Sequence, residues 1–201
     1  MNAKECLEIL RSIKDAAFAT VDENGEPHVR IIDVMLVDED KLYFCTARGK
    51  DFYEQLIKCG MVAVTALNSD FKTVRIQGKV KKLNDQKYWI DRIFEENPVM
   101  NDVYPNDTRY ILEPFCISEA QMEMFDLGVS PIYRESFSLG GYKVKEKGFV
   151  ISEECIACGT CKAVCPQQCI DEGDIYFINE EHCLHCGNCF ENCPVSAIKR
   201  K

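Results

Sequence analysis

The chain has 201 residues, 24 Lys and Arg against 33 Asp and Glu for a formal charge of −9, and a hydrophobic content of 46%. That hydrophobic share is ordinary for a globular protein, whereas the acidity argues against a nucleic-acid backbone as partner. No apolar run reaches the length of a membrane span, and Met1-Asn2-Ala3-Lys4-Glu5-Cys6 lacks a basic segment leading into an apolar one, so a cytoplasmic protein with its 13 cysteines as thiols is expected.

Residues 3–13 place Cys6, Leu7, Ile9, Leu10 and Ile13 near helical spacing, which predicts an amphipathic helix capping a barrel end. A strand over 16–21, the turn Asn24-Gly25-Glu26-Pro27 and a β-rich run over 28–37 make a hairpin. The acidic turn Asp38-Glu39-Asp40 leads to a third strand over 42–46. Phe52, Leu56 and Ile57 give one side of a helix over 51–59, followed by a strand over 62–67. Residues 71–83 alternate through Val74, Ile76, Gly78 and Val80 as a long strand. Asp85 then offers an N-cap for a helix through Tyr88, Ile90, Ile93 and Phe94, stopped by Asn97-Pro98. Residues 111–117 and 122–127 are two final strands. Six or seven strands with few helices predict a mainly β fold with peripheral helices, an antiparallel barrel.

The order helix, Phe-Ala-Thr strand, Gly-Glu-Pro-His turn, Val-Arg-Ile-Ile strand, Tyr-Phe-Cys-Thr strand, lysine-bearing loop, helix and Val-Arg-Ile-Gln-Gly strand is similar to the FMN-binding split-barrel family that includes pyridoxamine 5′-phosphate oxidase. The resemblance covers most of residues 1–130. It implies a homodimer with FMN in a groove between subunits, contacts from Arg30, Ile31 and Ile32, and Thr46 and Lys50 on the phosphate. It also places Arg75 near the cofactor; Thr73 stands where many members carry glutamine, and no catalytic residues for pyridoxamine phosphate oxidation are evident. Independently, the loop Thr46-Ala47-Arg48-Gly49-Lys50 offers two cations, a hydroxyl and a flexible backbone just before a helix N-terminus, the set of groups a phosphate needs.

Gly140-Gly141 marks a break, and Lys143, Lys145 and Lys147 follow in a linker, dividing the chain into a barrel with its tail over 1–141 and a second domain over 142–201. Residues 134–139 resemble a tail of small flavin-binding relatives that packs on the barrel. In the second domain, Cys155-Ile-Ala-Cys158-Gly-Thr-Cys161-Lys-Ala-Val-Cys165-Pro166 is repeated as Cys183-Leu-His-Cys186-Gly-Asn-Cys189-Phe-Glu-Asn-Cys193-Pro194. Three cysteines at this spacing wrap a tight loop around three corners of an iron-sulfur cube and leave the fourth corner to a distant thiolate. Zinc sites usually use two separated CxxC pairs instead. The repeated motif strongly resembles a bacterial 2[4Fe-4S] ferredoxin domain, a small α+β fold with a hairpin expected within 170–178. Carried over from that resemblance, Cys155, Cys158, Cys161 and Cys193 hold one cluster and Cys183, Cys186, Cys189 and Cys165 the other.

The other five cysteines, Cys6, Cys45, Cys59, Cys116 and Cys169, are expected to be small buried apolar residues, and Trp89 a core residue. His182 and His185 are expected to be solvated neighbours of the second motif. From Phe149 onward there are eight acids against four bases, so two oxidised clusters with their thiolates take this domain from −4 to roughly −8 and favour a partner with a basic docking patch. A flavin and two one-electron clusters in one chain imply an oxidoreductase linking a ferredoxin-type redox protein to a small acceptor or donor. The alternatives are an electron carrier without its own substrate and a redox-sensing protein holding a deazaflavin or haem.

Overall fold

The computed structural model describes residues 2–38 and 40–201; Glu39, within the predicted acidic turn, lies outside the described residues. The chain forms two compact units, one made of residues up to Ser69, Thr73–Glu123 and Ser136–Val144, the other of Asp70–Lys72, Met124–Glu135 and Lys145–Lys201.

In the first unit, helix α1 (Ala3–Ile13) starts at a capping box: the Glu5 amide donates to Asn2 Oδ1 at 3.0 Å and the Asn2 amide to Glu5 Oε2 at 2.9 Å. Strands β1 (Asp15–Val21) and β2 (Pro27–Asp33) form the expected hairpin, its turn tied by Asp22 Oδ1, which accepts from the Asn24 and Glu26 amides. The β-rich run over 28–37 is not continuous. At Val34 and Met35 the chain changes partner, the Val34 amide donating to Lys14 O and the Met35 amide to Tyr43 O, so that β3 (Leu36–Asp38) pairs with β4 (Lys41–Ala47) instead.

Helix α2 (Asp51–Cys59) follows, then β5 (Met61–Leu67) and β6 (Lys72–Lys82). Helix α3 (Gln86–Glu96) is capped by Asp85 as expected and leads into the short α4 (Met100–Val103). The two strands predicted over 111–127 are one, β7 (Leu112–Asp126). The polar stretch Ser118-Glu119-Ala120-Gln121 resembles a turn in sequence, but it has cross-strand partners: Glu119 receives Lys79 and Lys81 at 2.8 and 2.6 Å, which hold its carboxyl down at about 2. Ala120 sits against Gly78, where any added Cβ would lie 2.3 Å from the Ala120 methyl carbon. The tail segment becomes β8 (Tyr133–Leu139) and pairs with β7.

The sheet order is β2-β1-β5-β6-β7-β4-β3, a curled antiparallel sheet whose strands alternate between its two faces. Phe18, Val64 and Ile76 share one inward row across β1, β5 and β6. Phe44 is fully buried beside Phe18, Phe52 and Phe115, with ring centroids 4.8, 5.9 and 5.6 Å away. Trp89 stacks on Tyr43 at 4.8 Å but is only half-buried, packing against a second apolar cluster from its edge rather than lying within it. Among the described residues no helix is long and apolar enough to cross a membrane.

The second unit contains β9 (Phe149–Ile151), α5 (Thr160–Ala163), β10 (Ile170–Asp171), β11 (Phe177–Ile178), α6 (Asn188–Glu191) and β12 (Ile198–Arg200). Antiparallel pairs β9 with β12 and β10 with β11 frame it, the latter being the expected hairpin. The sequence repeat is also a backbone repeat. Left-handed φ values recur at Ala157 and His185 (53° and 56°), Gly159 and Gly187 (78° and 83°), and Gln168 and Ser196 (51° and 54°). Each cysteine loop therefore turns in the same way, and α5 and α6 begin just after equivalent glycines.

Candidate redox sites

The repeat gathers the eight motif cysteines into two groups of four. Cys155, Cys158, Cys161 and Cys193 line one cavity together with Ile151, Ile156, Tyr176 and Val195. Cys165, Cys183, Cys186 and Cys189 line another with Phe149, Ile170, Ile178 and Leu184. Each group takes three cysteines from one motif and the fourth from the other. Among the described residues no Asp or Glu lines either cavity.

A single zinc ion with arms of about 2.3 Å needs sulfurs roughly 3.8 Å apart. Yet among the described residues the trio of metal-ligating types whose ligand atoms lie within 4.8 Å is Asp22, Glu26 and His28, an outward-facing set in the β1–β2 turn. Backbone amides point at the sulfurs in matched positions: Ala157 N donates to Cys155 Sγ and His185 N to Cys183 Sγ, both at 3.4 Å, and Ala197 N to Cys193 Sγ at 3.2 Å. Hydrogen bonds with Thr160 lower the Cys158 pKa, while burial raises those of Cys161, Cys183 and, to about 11, Cys189. A site built to keep free thiols would not aim donors at sulfur; a site for thiolate ligands gains from it. The donor set and the apolar walls fit iron-sulfur clusters.

The predicted flavin residues divide by strand alternation. Ile31 lies on the outer face of the sheet, 64% exposed, in a cross-strand row that runs Ile31, Ala17, Thr65, Arg75. Thr73 stands in a neighbouring row opposite Leu67, and Val29 is 71% exposed on the same face. Arg30 and Ile32 point the other way. Arg30 donates to Thr20 Oγ1 at 2.6 Å and Gln55 Oε1 at 2.9 Å, and lies 4.5 Å from the Phe52 ring centre, so it clamps β1 to α2.

Thr46 is buried, and its Oγ1 has no hydrogen-bond partner, an unmet polar atom at the start of the loop over 46–50. Arg48, Gly49 and Lys50 are exposed just ahead of α2, whose N-terminus has no side-chain cap. Arg48 pairs with the buried Glu113 at 2.9 Å and Arg75 with the buried Glu123 at 2.8 Å, whereas Lys50 is exposed at the N-cap of α2. A hollow of about 480 Å³ is lined by Asp22, Glu23, His28, Asp51, Glu54 and Lys58 and includes none of the predicted flavin residues.

Several expectations change. Cys6, Cys45, Cys116 and Cys169 are buried, but Cys59 is exposed, because it ends α2 on the solvent side. Burial pushes the Cys45 thiol up to about 12, which leaves it inert at neutral pH. His182 and His185 are not solvated. His182 Nδ1 bonds Ile132 O at 2.8 Å and His185 Nδ1 bonds the Arg134 guanidinium, both residues half-buried. Their partners lie some fifty residues earlier in the chain, a pairing no local spacing reveals.

Two family models match the chain: pyridoxamine 5′-phosphate oxidase over residues 3–102 and 4Fe-4S dicluster domain over 154–197. The chain joins a pyridoxamine 5′-phosphate oxidase-like split barrel to a 4Fe-4S dicluster domain. No curated protein is similar to it by sequence. Among solved structures, a NimC/NimA family protein from Clostridium acetobutylicum aligns with a TM-score of 0.58 at 20% identity, covering 69% of this chain and 92% of its own. A protein from the same organism related to general stress protein 26, of the pyridoxinephosphate oxidase family, aligns at 0.55 and 16%, covering 69% and 96%. A haem-binding protein from Mycobacterium smegmatis aligns at 0.52 and 11%, covering 69% and 58%. These likenesses establish the split-barrel fold of the N-terminal part. A split barrel carrying a dicluster domain is an arrangement for redox electron transfer.

Proposed function

We propose that this protein is an iron-sulfur flavoprotein oxidoreductase, with FMN on the barrel and two [4Fe-4S] clusters in the dicluster domain, passing electrons between a ferredoxin-type redox protein and a small acceptor or donor. The observation that carries it is the convergence of eight motif cysteines on two apolar cavities, four to each. Cys155, Cys158, Cys161 and Cys193 hold one cluster, and Cys165, Cys183, Cys186 and Cys189 the other. When bound, the clusters supply one-electron steps and the flavin exchanges one or two electrons.

The barrel's own residues bind and orient. Lys50 and the amides at the start of α2 take the flavin phosphate, while Ile31, Thr73 and Arg75 present one outer sheet face to the ring system. That face carries exposed Val29, Ile31 and Leu67 and is open, so enclosing a flavin there takes a second wall, and a homodimer supplies it. Light scattering on the flavin-loaded protein is expected to give a dimer; a monomer with flavin fully bound contradicts this arrangement. Lys50→Ala is expected to weaken FMN binding about tenfold, through loss of a charge-assisted contact worth roughly 1.5 kcal/mol, while leaving the fold and iron content intact. Fluorescence titration of the apo-flavin protein checks it, and an unchanged affinity removes Lys50 from the phosphate site.

The dicluster domain carries the acidic surface, eight acids against four bases from Phe149 onward, which suits a basic docking patch on the redox partner. Anaerobic turnover with a panel of quinones, flavins and nitro compounds tests the enzymatic part of the reading. Reduction of none of them leaves an electron carrier.

A further inference from the structure

The two halves of the dicluster domain differ at one buried position beside the ligands. The repeat offset that relates each ligand to its twin relates Cys169 to Ala197, in Cys165-Pro166-Gln167-Gln168-Cys169-Ile170 and Cys193-Pro194-Val195-Ser196-Ala197-Ile198. Both residues are buried and each lines the cavity of its own half. Cys169 Sγ lies 3.6 Å from Cys165 Sγ, in the cavity that Cys183 also lines. Cys165 and Cys183 are two of the four thiols of one cavity, while Cys169 belongs to neither motif. Where the first cavity has a methyl group, the second has a thiol against one of its ligands.

Once Cys165 is a thiolate bound to iron it has no proton to give, so the S–H in this contact belongs to Cys169. A donor to ligand sulfur withdraws negative charge and favours the reduced, more negative state of the group. Building on the cluster assignment above, we propose that Cys169 is a positioning residue whose thiol donates to the Cys165 sulfur of the cluster held by Cys165, Cys183, Cys186 and Cys189, setting that cluster's reduction potential above that of its twin. The half-buried His185, with the Arg134 guanidinium on its ring, stands where the first half has Ala157 and acts in the same direction. The two clusters are then unequal by construction, and an electron rests preferentially on the second.

The test is an anaerobic potentiometric titration of the full chain followed by electron paramagnetic resonance, with iron counted in every sample. Cys169→Ala is expected to lower the upper of the two potentials and leave the lower in place, on the order of a tenfold change in the electron's distribution, or about 59 mV for a one-electron couple. Cys169→Ser keeps a donor and is expected to hold the upper potential near its original value. Ala197→Cys is expected to raise the lower one, and it carries the test if Cys169→Ala loses iron. Potentials unmoved by Cys169→Ala, a serine variant that shifts as far as alanine, or an Ala197→Cys variant without effect would each overturn the proposal. Wild-type protein without iron would instead overturn the cluster assignment beneath it.

Discussion

Replacing Cys165 with alanine is expected to remove the cluster of the second motif and spare that of the first. Cys165 lies within the first motif in sequence, yet it lines the cavity of Cys183, Cys186 and Cys189. Loss of one thiolate from a cubane typically costs the whole cluster, and each Cys165→Ala variant also carries Cys169→Ala so that the thiol 3.6 Å away does not take the vacant corner; it should retain about four of about eight irons and show an isolated rather than a spin-coupled signal on reduction. A combined variant decides the assignment. If ligands are exchanged between motifs, Cys165→Ala with Cys155→Ala disables both sites and iron falls towards zero. If each motif served its own cluster, both changes would fall in one site and about four irons would remain.

Phe44→Ala is expected to cost the barrel about 3–5 kcal/mol, the largest single effect on its stability. Phe44 is fully buried and its ring meets Phe18, Phe52 and Phe115, so it ties β1, β4, β7 and α2 into one core. Truncation leaves a cavity that three stiff rings cannot collapse to fill. Urea unfolding followed by circular dichroism measures it, with Val29→Ala on the exposed face as a control expected to change stability by less than about 0.5 kcal/mol. Equal effects from the two substitutions would contradict this packing.

The cysteine motifs were legible because their chemistry is local: three ligands sit within seven residues, and the tight loop forces the spacing. The fourth ligand was legible only through resemblance, since nothing within Cys165 to Pro166 says which cavity the thiol faces. Helices α1 and α2 were readable from apolar periodicity. The β2–β3 break was not, because it arises when Val34 and Met35 change hydrogen-bond partners, to Lys14 and to Tyr43. The continuity of β7 was hidden for a similar reason. Glu119 looks like a turn residue until Lys79 and Lys81 are placed across from it, and Ala120 looks unremarkable until Gly78 leaves room for it. On the barrel, sequence brought Arg30, Ile31 and Ile32 forward as one unit, but alternation sends Ile31 to the open face and Arg30 into a buried clamp with Thr20 and Gln55. Arg48 and Arg75 read as available cations, and only the fold reveals the carboxylates of Glu113 and Glu123 beside them.

The central claim is that one chain carries both a flavin and two cubanes. It is tested most directly by purifying the full-length protein under anaerobic conditions and counting iron, acid-labile sulfide and released flavin per chain, with the flavin identified by mass spectrometry. The expected result is about eight irons, about eight sulfides and one FMN per chain. Zinc in place of iron, or a full complement of iron with no flavin bound, would contradict it.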